Sequence, residues 1–250
     1  MSKLPITCTI IAFNEADRII NAIQSVKPFV DEIIVIDSGS TDGTQKICSD
    51  MGCFVRFNEW NGYGPQKRFG EDVARNDWIL NLDADEYLSN ELMDEIINLF
   101  NKNLDKNFYE VRVYPIYPNW SKPRLFSAYH RCVRLYNKKN GRFSESPVHD
   151  SVITNDHEIG KLTRPVLHNT IRDFNHLIRK QDSYIKLQVE TLQKKKNIIL
   201  LMRCLFEFPI IFIKYYIIRR HFTGGLSGIK FSLIISYMRL KRIILFIKKK

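Results

Sequence analysis

The sequence has few of the residues that build disulfide-rich, zinc-binding or loosely linked proteins. Its 250 residues include five scattered cysteines and no C-x-x-C pair, which argues against a disulfide framework or a zinc site and favours a reducing cytosol. Nine prolines and eleven glycines leave little room for long linkers, and an apolar fraction of 44% excludes intrinsic disorder. No apolar run reaches the roughly 18 uncharged residues of a membrane-spanning helix. The N-terminal pattern predicts no signal peptide.

Positive charge is concentrated in the last fifth of the chain. The whole sequence has a net charge of +11, of which residues 201–250 carry +10, with eleven Lys and Arg against the single acid Glu207. The same segment is rich in Ile, Leu, Phe and Tyr. This combination favours an anionic membrane surface over nucleic acid as a partner. We therefore expect residues 171–250 to form a helical, membrane-associating region, with an ordinary basic helical subdomain as the alternative.

Strand-like and helix-like segments alternate through the first hundred residues. Strands are predicted at Ile6–Ile11, Glu32–Asp37, Cys53–Phe57 and Trp78–Asp83, of which the first, second and fourth are expected to be buried. Helices are predicted at Glu15–Val26, Asp42–Met51, Pro65–Ala74 and Ser89–Phe100. The alternation predicts an α/β fold with a mostly parallel, Rossmann-like central sheet and helices on both faces.

The character of the chain changes after residue 107. Antiparallel strands are predicted at Phe108–Tyr114 and Arg131–Tyr136, and residues 138–165 are predicted to be polar loop. A helix is predicted at Asn175–Gln193, and the basic segment that follows is expected to break near Thr223–Gly225.

Polar and acidic residues follow each of the four predicted parallel strands. Ligands bind at this edge of open α/β sheets, so these strand ends predict one shared crevice. Asp83 and Asp85 end the fourth strand, and such oxygen ligands suit Mg²⁺ or Mn²⁺ bound together with substrate phosphates. One of the two could hold the metal while the other reaches a ribose hydroxyl. An acidic turn that caps the next helix is the alternative.

Two further strand ends suggest contacts with a nucleotide. Asp37 could accept hydrogen bonds from a ribose or a pyrimidine N–H, whereas Ser38 and its neighbours could only shape a turn. Gln66 and Lys67 lie at a predicted helix N-terminus, where backbone N–H groups and cations suit a diphosphate. A solvated surface helix is the alternative there.

Together these motifs resemble family 2 glycosyltransferases of the GT-A fold. The resemblance extends over nearly the whole chain. Within the family, the chain is similar to the subgroup of lipopolysaccharide inner-core β-1,4-glucosyltransferases. It rests on Ala12-Phe-Asn-Glu15, Asp37-Ser-Gly-Ser-Thr-Asp-Gly-Thr44, Trp60–Lys67, Leu82-Asp-Ala-Asp-Glu86, Arg134-Leu-Tyr136 and Val148-His-Asp150. Asp150 stands where the subgroup would have Glu.

The resemblance implies a domain of residues 1–170, with a nucleotide-sugar half to about 100 and an acceptor half after it. It also implies an inverting, metal-dependent transfer of a hexose from a nucleotide-diphosphate sugar, by default UDP-glucose, to a glycolipid at the inner face of the cytoplasmic membrane. The residues implied for the donor are Ala12, Asn14, Glu15, Asp37, Ser38, Gln66, Lys67, Asp83 and Ala84. Asp85 and Asp83 are implied for Mg²⁺ or Mn²⁺.

The catalytic base is expected in the polar loop before residue 151. Asp150 is the first candidate and Glu145 the second, because an acceptor hydroxyl must lose its proton as it attacks the sugar. His149 could orient that carboxylate or join the metal, and His168 is another conceivable ligand. Two alternatives remain open: the same donor chemistry on a polyprenyl phosphate or a protein, and a non-enzymatic basic protein that binds lipid or nucleic acid.

Overall fold

The computed structural model describes residues 3–102, 104–148, 150–193 and 197–249. The chain divides into two compact units. The first, called here the sheet unit, contains residues 1–114 and Tyr129–His168. The second, the helical unit, contains Pro115–Ala128 and residues 169–250. The loop between the predicted strands of residues 108–136 therefore groups with the helices, although the domain prediction assigned it to residues 1–170.

The sheet unit holds eight strands and four helices. The strands are β1 (Leu4–Ala12), β2 (Val30–Asp37), β3 (Phe54–Phe57), β4 (Trp78–Asp83), β5 (Glu86–Leu88), β6 (Phe108–Pro115), β7 (His130–Asn137) and β8 (Ile159–His168). The helices are α1 (Ile19–Val26), α2 (Thr44–Asp50), α3 (Tyr63–Val73) and α4 (Asn90–Asn101). All elements predicted in residues 1–114 are confirmed, with boundaries shifted by up to four residues.

The sheet has a parallel half and an antiparallel half. Its strand order is β3-β2-β1-β4-β7-β6-β8-β5. Strands β1, β2, β3 and β4 pair in parallel, whereas β7 pairs antiparallel with β4 and β6, and β5 with β8. Because β1 lies in the middle of the parallel half, the carboxyl ends of β1, β2 and β4 open side by side.

Strand residues alternate between two apolar cores on opposite faces of the sheet. On one face Ile10, Val35 and Leu82 pack with residues of α1, α2 and α4. On the other face Ile36 and Ile79 pack with residues of α3 and with the loop after β7. Both faces of β1, β2 and β4 are therefore buried, which is why their sequences are nearly continuous apolar runs, whereas the edge strand β3 is mostly exposed.

Two strands were not predicted. β8 lies in the stretch expected to be loop, and β5 is only three residues long. Gly160 and Pro165 interrupt the β8 sequence, and such residues weaken a strand pattern. The pairing matters for the site, because Glu86 of β5 lies opposite His168 of β8.

The helical unit contains three long helices. They are α5 (Phe174–Thr191), α6 (Asn197–Ile213) and α7 (Gly225–Lys248). A π-helical turn at Lys214–Ile218 and a 3₁₀ turn at His221–Gly224 separate the last two, so the break expected near Thr223–Gly225 is confirmed. In the described part of the chain, no helix combines the length and apolarity needed to cross a bilayer.

The start of α4 provides a test of local stability. Ser89 caps the helix, its side-chain oxygen accepting the Leu92 N–H at 3.2 Å. We expect Ser89→Ala to lower the free energy of unfolding by about 1 kcal/mol, because the first turn of the helix loses its side-chain acceptor. Ser89→Asp keeps an acceptor and should stay near the wild type in urea denaturation. Equal stability of all three proteins would contradict the capping role.

Candidate active site

An open cavity of about 710 Å³ lies at the carboxyl ends of β1, β2 and β4, a volume in the range of small-molecule sites. Six residues predicted for donor or metal binding line it: Ala12, Glu15, Ser38, Asp83, Ala84 and Asp85. The remaining lining residues are Ile11, Phe13, Trp60, Tyr63 and His168. The strand ends therefore do share one crevice. We call it the strand-end cavity.

Asn14 joins the loops that follow β1 and β2. Its backbone N–H donates to Ser40 Oγ at 2.8 Å, and its side-chain oxygen accepts the Thr41 N–H at 2.8 Å. Its φ of 55° is in the left-handed region, which Asn tolerates better than most residues. Asn14 was expected to bind the donor, but these contacts hold the wall of the cavity.

Asp37 holds the loop after β2, and its predicted contact with a nucleotide stays a prediction. It is fully buried, and its Oδ1 accepts the N–H groups of Gly39 and Ser40, both at 2.9 Å. Gln45 Nε2 also donates to Oδ1, and the Ser40 hydroxyl donates to Oδ2. An acceptor-only carboxylate is taken up by these bonds, so Asp37 organises the loop. The neighbouring Ser38, which the resemblance also implies for the donor, lines the cavity.

The N-terminus of α3 is covered by protein. The N–H of Tyr63 donates to the Pro147 carbonyl at 3.0 Å, and that of Gly64 to the Ser146 carbonyl at 3.1 Å. A Cβ on Gly64 would lie 2.1 Å from the Ser144 oxygen, so only glycine allows this approach. The backbone donors expected to receive a diphosphate are therefore used by the loop after β7.

Gln66 is also buried and serves the wall of the cavity. Its Nε2 donates to Ser38 Oγ at 3.0 Å and to the Asn58 carbonyl at 3.2 Å. Its Oε1 accepts the Asn58 side-chain amide at 2.8 Å. Gln66 was predicted to contact the donor, but its full burial and these bonds make it a support for Ser38.

A cluster of buried charges lies at the end of β4. Lys67, only 1% exposed, places Nζ 2.9 Å from Asp83 Oδ1 and 2.5 Å from Asp150 Oδ2. Arg134 of β7 contacts Asp83 Oδ2 at 3.0 Å and Glu86 Oε1 at 2.6 Å. Lys67 is thus paired with two carboxylates, and the diphosphate role predicted for it stays a prediction. We call these five residues the charge cluster.

Within the charge cluster, the pKa values of Asp83 and Glu86 are shifted in opposite directions. Burial would raise the pKa of Asp83, but the charges of Lys67 and Arg134 outweigh burial and hold that pKa well below its usual value. Burial raises the pKa of Glu86, an effect that Arg134 opposes. Asp83 is therefore a charge-compensated carboxylate whose two oxygens already face cations.

Of the two aspartates Asp83 and Asp85, Asp85 is the one that lies next to a histidine. Its Oδ2 lies 3.2 Å from His168 Nε2 and 3.2 Å from an Arg18 nitrogen, and Arg18 also pairs with Glu15. Burial would lower the pKa of His168, but the hydrogen bond and charge of Asp85, with Glu86 and Asp83, raise it. A carboxylate and an imidazole therefore meet in the strand-end cavity.

This arrangement fits a divalent ion that binds together with phosphate oxygens. Within residues 3–102, 104–148, 150–193 and 197–249, no three His, Cys, Asp or Glu side chains are grouped as a complete metal site. Mg²⁺ commonly uses one or two protein ligands, water and substrate phosphates. Asp85 and His168 supply two donors of suitable chemistry, whereas Asp83 would have to give up Lys67 or Arg134 first.

The candidate bases lie apart from one another. Asp150 lines a smaller cavity of about 360 Å³, whose wall also includes Asp83 and His168 of the strand-end cavity. The Glu145 side chain is 79% exposed, lies 3.7 Å from an Arg68 nitrogen and lines neither cavity. His149 lies outside the described residues. Of the two that the structure describes, Asp150 is the one that lines a cavity.

Arg18, Glu86 and Arg134 are site residues to which the sequence analysis gave no role. Glu86 and Arg134 stand in motifs that carry the family resemblance, which was the available signal. Arg18 precedes α1 and has no such signal. Its partner Asp85 is 67 residues away along the chain, so only the folded chain reveals the pair.

The Arg134 ion pairs give a stability prediction. Arg134→Gln should lower the free energy of unfolding by about 3–5 kcal/mol, because Asp83 and Glu86 lose a shared buried counter-charge. Arg131→Gln on the same strand removes a partly exposed pair with Glu110 and should cost about 1 kcal/mol or less. Urea denaturation measures both. Similar losses for the two variants would contradict the structural role of the cluster.

Known proteins resemble this chain in sequence and in fold. The family model Glycosyl transferase family 2 matches residues 7–158. An uncharacterized glycosyltransferase of Rickettsia felis is 39% identical over 248 residues, which cover 95% of this chain and 88% of the relative. LpsC of Rhizobium meliloti, a lipopolysaccharide core biosynthesis glycosyltransferase, is 28% identical over 232 residues, covering 90% and 86%. Residues 1–349 of S. aureus TarS share the fold, with a TM-score of 0.50, 12% identity and coverage of 77% of this chain and 67% of TarS.

Proposed function

Because the chain belongs to glycosyltransferase family 2, and has its GT-A fold, we propose that it moves a hexose from a nucleotide-diphosphate sugar to a lipid-linked acceptor. Glucose from UDP-glucose is the donor we propose, and the lipopolysaccharide inner core the acceptor. The observation that carries the proposal is the strand-end cavity, where Asp85 and His168 meet beside Glu15 and Ser38. The similarity to LpsC supports the choice of acceptor.

The nucleotide sugar occupies the strand-end cavity in this proposal. Ala12 and Ser38 lie on the wall formed by β1 and β2, and Trp60 and Tyr63 offer aromatic surface on which a base can stack. Asp85 and His168 would hold a Mg²⁺ or Mn²⁺ ion, which would neutralise the charge that develops on the departing diphosphate. Arg18 positions Asp85 through their contact of 3.2 Å.

Asp150 is the proposed base. An acceptor hydroxyl attacks the anomeric carbon as the bond from that carbon to the diphosphate oxygen breaks, and the hydroxyl proton passes to Asp150. Attack from the side opposite the leaving group inverts the anomeric centre. Lys67 positions Asp150 by contacting it, and the same lysine contacts Asp83. Asp83 and His168 belong to the walls of both cavities, which brings acceptor and donor sites next to each other.

A membrane surface is the proposed location of the acceptor. One side of α6 presents six apolar side chains that are each more than half exposed: Ile198, Leu201, Met202, Leu205, Phe206 and Ile210. An apolar stripe of this kind suits burial at the acyl boundary of a bilayer. Exposed basic residues of the same unit, Lys214 and Lys230 among them, would each add about 1 kcal/mol at an anionic leaflet.

The role of Asp85 is tested by hydrolysis of the donor. Asp85→Asn should lower the Mn²⁺-dependent hydrolysis of UDP-glucose by about 100-fold or more, since a neutral amide binds a divalent ion far more weakly. Asp50→Asn changes an exposed surface carboxylate by the same atoms and should hydrolyse UDP-glucose at the wild-type rate. Both variants are checked for folding by thermal denaturation. Wild-type hydrolysis by folded Asp85→Asn would exclude the proposed donor site.

The membrane surface is tested by vesicle flotation. Leu205→Glu removes a large exposed apolar side chain from the α6 stripe and should reduce binding to phosphatidylglycerol vesicles by about tenfold or more. Phe54→Glu alters a half-exposed apolar residue on β3 and should float like the wild type. Equal flotation of Leu205→Glu and the wild type would mean that α6 does not contact lipid.

A further inference from the structure

A separate cavity of about 590 Å³ lies within the helical unit. Three arginines, Arg124, Arg219 and Arg220, line it together with aromatic side chains that include Tyr117 and Phe126. None of its lining residues belongs to the strand-end cavity or to the charge cluster. We call it the arginine cavity. Neither the donor site nor the proposed base gives it a role.

The three guanidinium groups have no negative partner. In the described part of the chain, no carboxylate oxygen lies within 4.0 Å of any of them. Arg219 lies over the ring of Tyr215 at 4.5 Å and Arg220 over that of Phe126 at 5.0 Å, while Arg124 donates to backbone carbonyl oxygens. Three cations that share a cavity without a counter-charge repel one another, and an anionic ligand would remove that repulsion.

Two other arginines of the helical unit do have a counter-charge. Arg203 and Arg239 both pair with Glu207, the single acid of residues 201–250. Arg203 and Arg239 therefore belong to structural ion pairs, whereas the three arginines of the arginine cavity have no carboxylate partner among the described residues.

The floor of the cavity is neutral and rigid. His221 places Nδ1 2.5 Å from the Tyr117 hydroxyl, and burial, with the charges of Arg124 and Arg219, lowers its pKa to about 4. The imidazole is thus uncharged at neutral pH, and the positive charge comes from the arginines. A Cβ on Gly224 would lie 2.5 Å from the Tyr117 ring, so close packing holds that ring in place.

The rim of the cavity is apolar. Phe126 and Ile218 line it and are 60% and 71% exposed, and Leu125 and Phe222 are exposed neighbours of lining residues. Phe126 and Arg220 each have a φ of 57°, an unusual conformation for such residues that commonly marks a functional site. Guanidinium groups and exposed apolar side chains on one cavity suit an amphiphile with a charged head.

We propose that the arginine cavity binds the phosphate monoester of an amphiphilic lipid, with the phosphate at the three guanidinium groups and the apolar part at the rim. Guanidinium groups bind phosphate through paired, charge-assisted hydrogen bonds, and a monoester offers three oxygens and up to two charges. Resting on the proposed function, the cavity would hold a phosphate carried by the lipid-linked acceptor. The cavity would thereby recognise the phosphate of the acceptor, which a charged membrane surface alone does not do.

The test is calorimetric titration of the full chain with dihexanoyl phosphatidic acid, used below its micelle concentration. Arg219→Gln should weaken binding by about tenfold or more, the loss expected for a charge-assisted bond, and Arg219→Lys should restore part of it. Arg179→Gln is the matched control, because Arg179 is an exposed arginine of α5 outside the cavity. If Arg219→Gln does not fold, Arg220→Gln tests the same claim.

Two further ligands test whether the cavity selects a lipid phosphate monoester over other phosphates. Dihexanoyl phosphatidylglycerol, a phosphodiester with the same tails, and inorganic phosphate should each bind at least about tenfold more weakly than the phosphatidic acid. Equal binding of inorganic phosphate would overturn the lipid assignment and leave a simple anion site. Wild-type affinity in the folded Arg219 and Arg220 variants would overturn the proposal. The titration contains no nucleotide sugar, so its outcome is independent of the Asp85 experiment.

Discussion

The charge cluster at the end of β4 is the constraint on which the candidate site depends. Ions taken out of water are costly unless their partners are well placed, so the buried Lys67, Glu86 and Arg134 and the partly exposed Asp83 and Asp150 fix one another's positions. Lys67 comes from α3, Arg134 from β7 and Asp150 from the loop after β7, and all are tied to the β4–β5 corner through Asp83 and Glu86. The cluster therefore aligns both cavities with the same strand end.

The two aspartates of the β4 motif have different surroundings. Asp83 faces Lys67 and Arg134, whereas Asp85 faces Arg18 and His168. A pair of carboxylates two residues apart thus divides into one that organises the protein and one that can meet a ligand. The pairing of β5 with β8 is what brings His168 to Asp85. In the proposed function, such a division lets one short motif serve both packing and metal binding.

Most of the parallel half of the sheet could be predicted from sequence. Strands buried on both faces have runs of β-branched residues, and these runs end in turn residues. The crevice followed from the same logic, since parallel strand ends share an edge. The contacts of Gln66 and Lys67 could not be predicted from the sequence. Asp150, the partner of Lys67, lies 83 residues further along the chain, and no local pattern reports which way a lysine side chain points. β8 was missed because Gly160 and Pro165 hide its pattern.

Diffraction from crystals grown with Mn²⁺ and UDP-glucose, recorded at the manganese absorption edge, tests the division between Asp83 and Asp85 most directly. The account predicts an anomalous peak within bonding distance of Asp85 and His168, with the nucleotide in the strand-end cavity and Lys67 still between Asp83 and Asp150. A peak coordinated by Asp83, with Lys67 displaced, or a nucleotide bound outside this cavity, would contradict it.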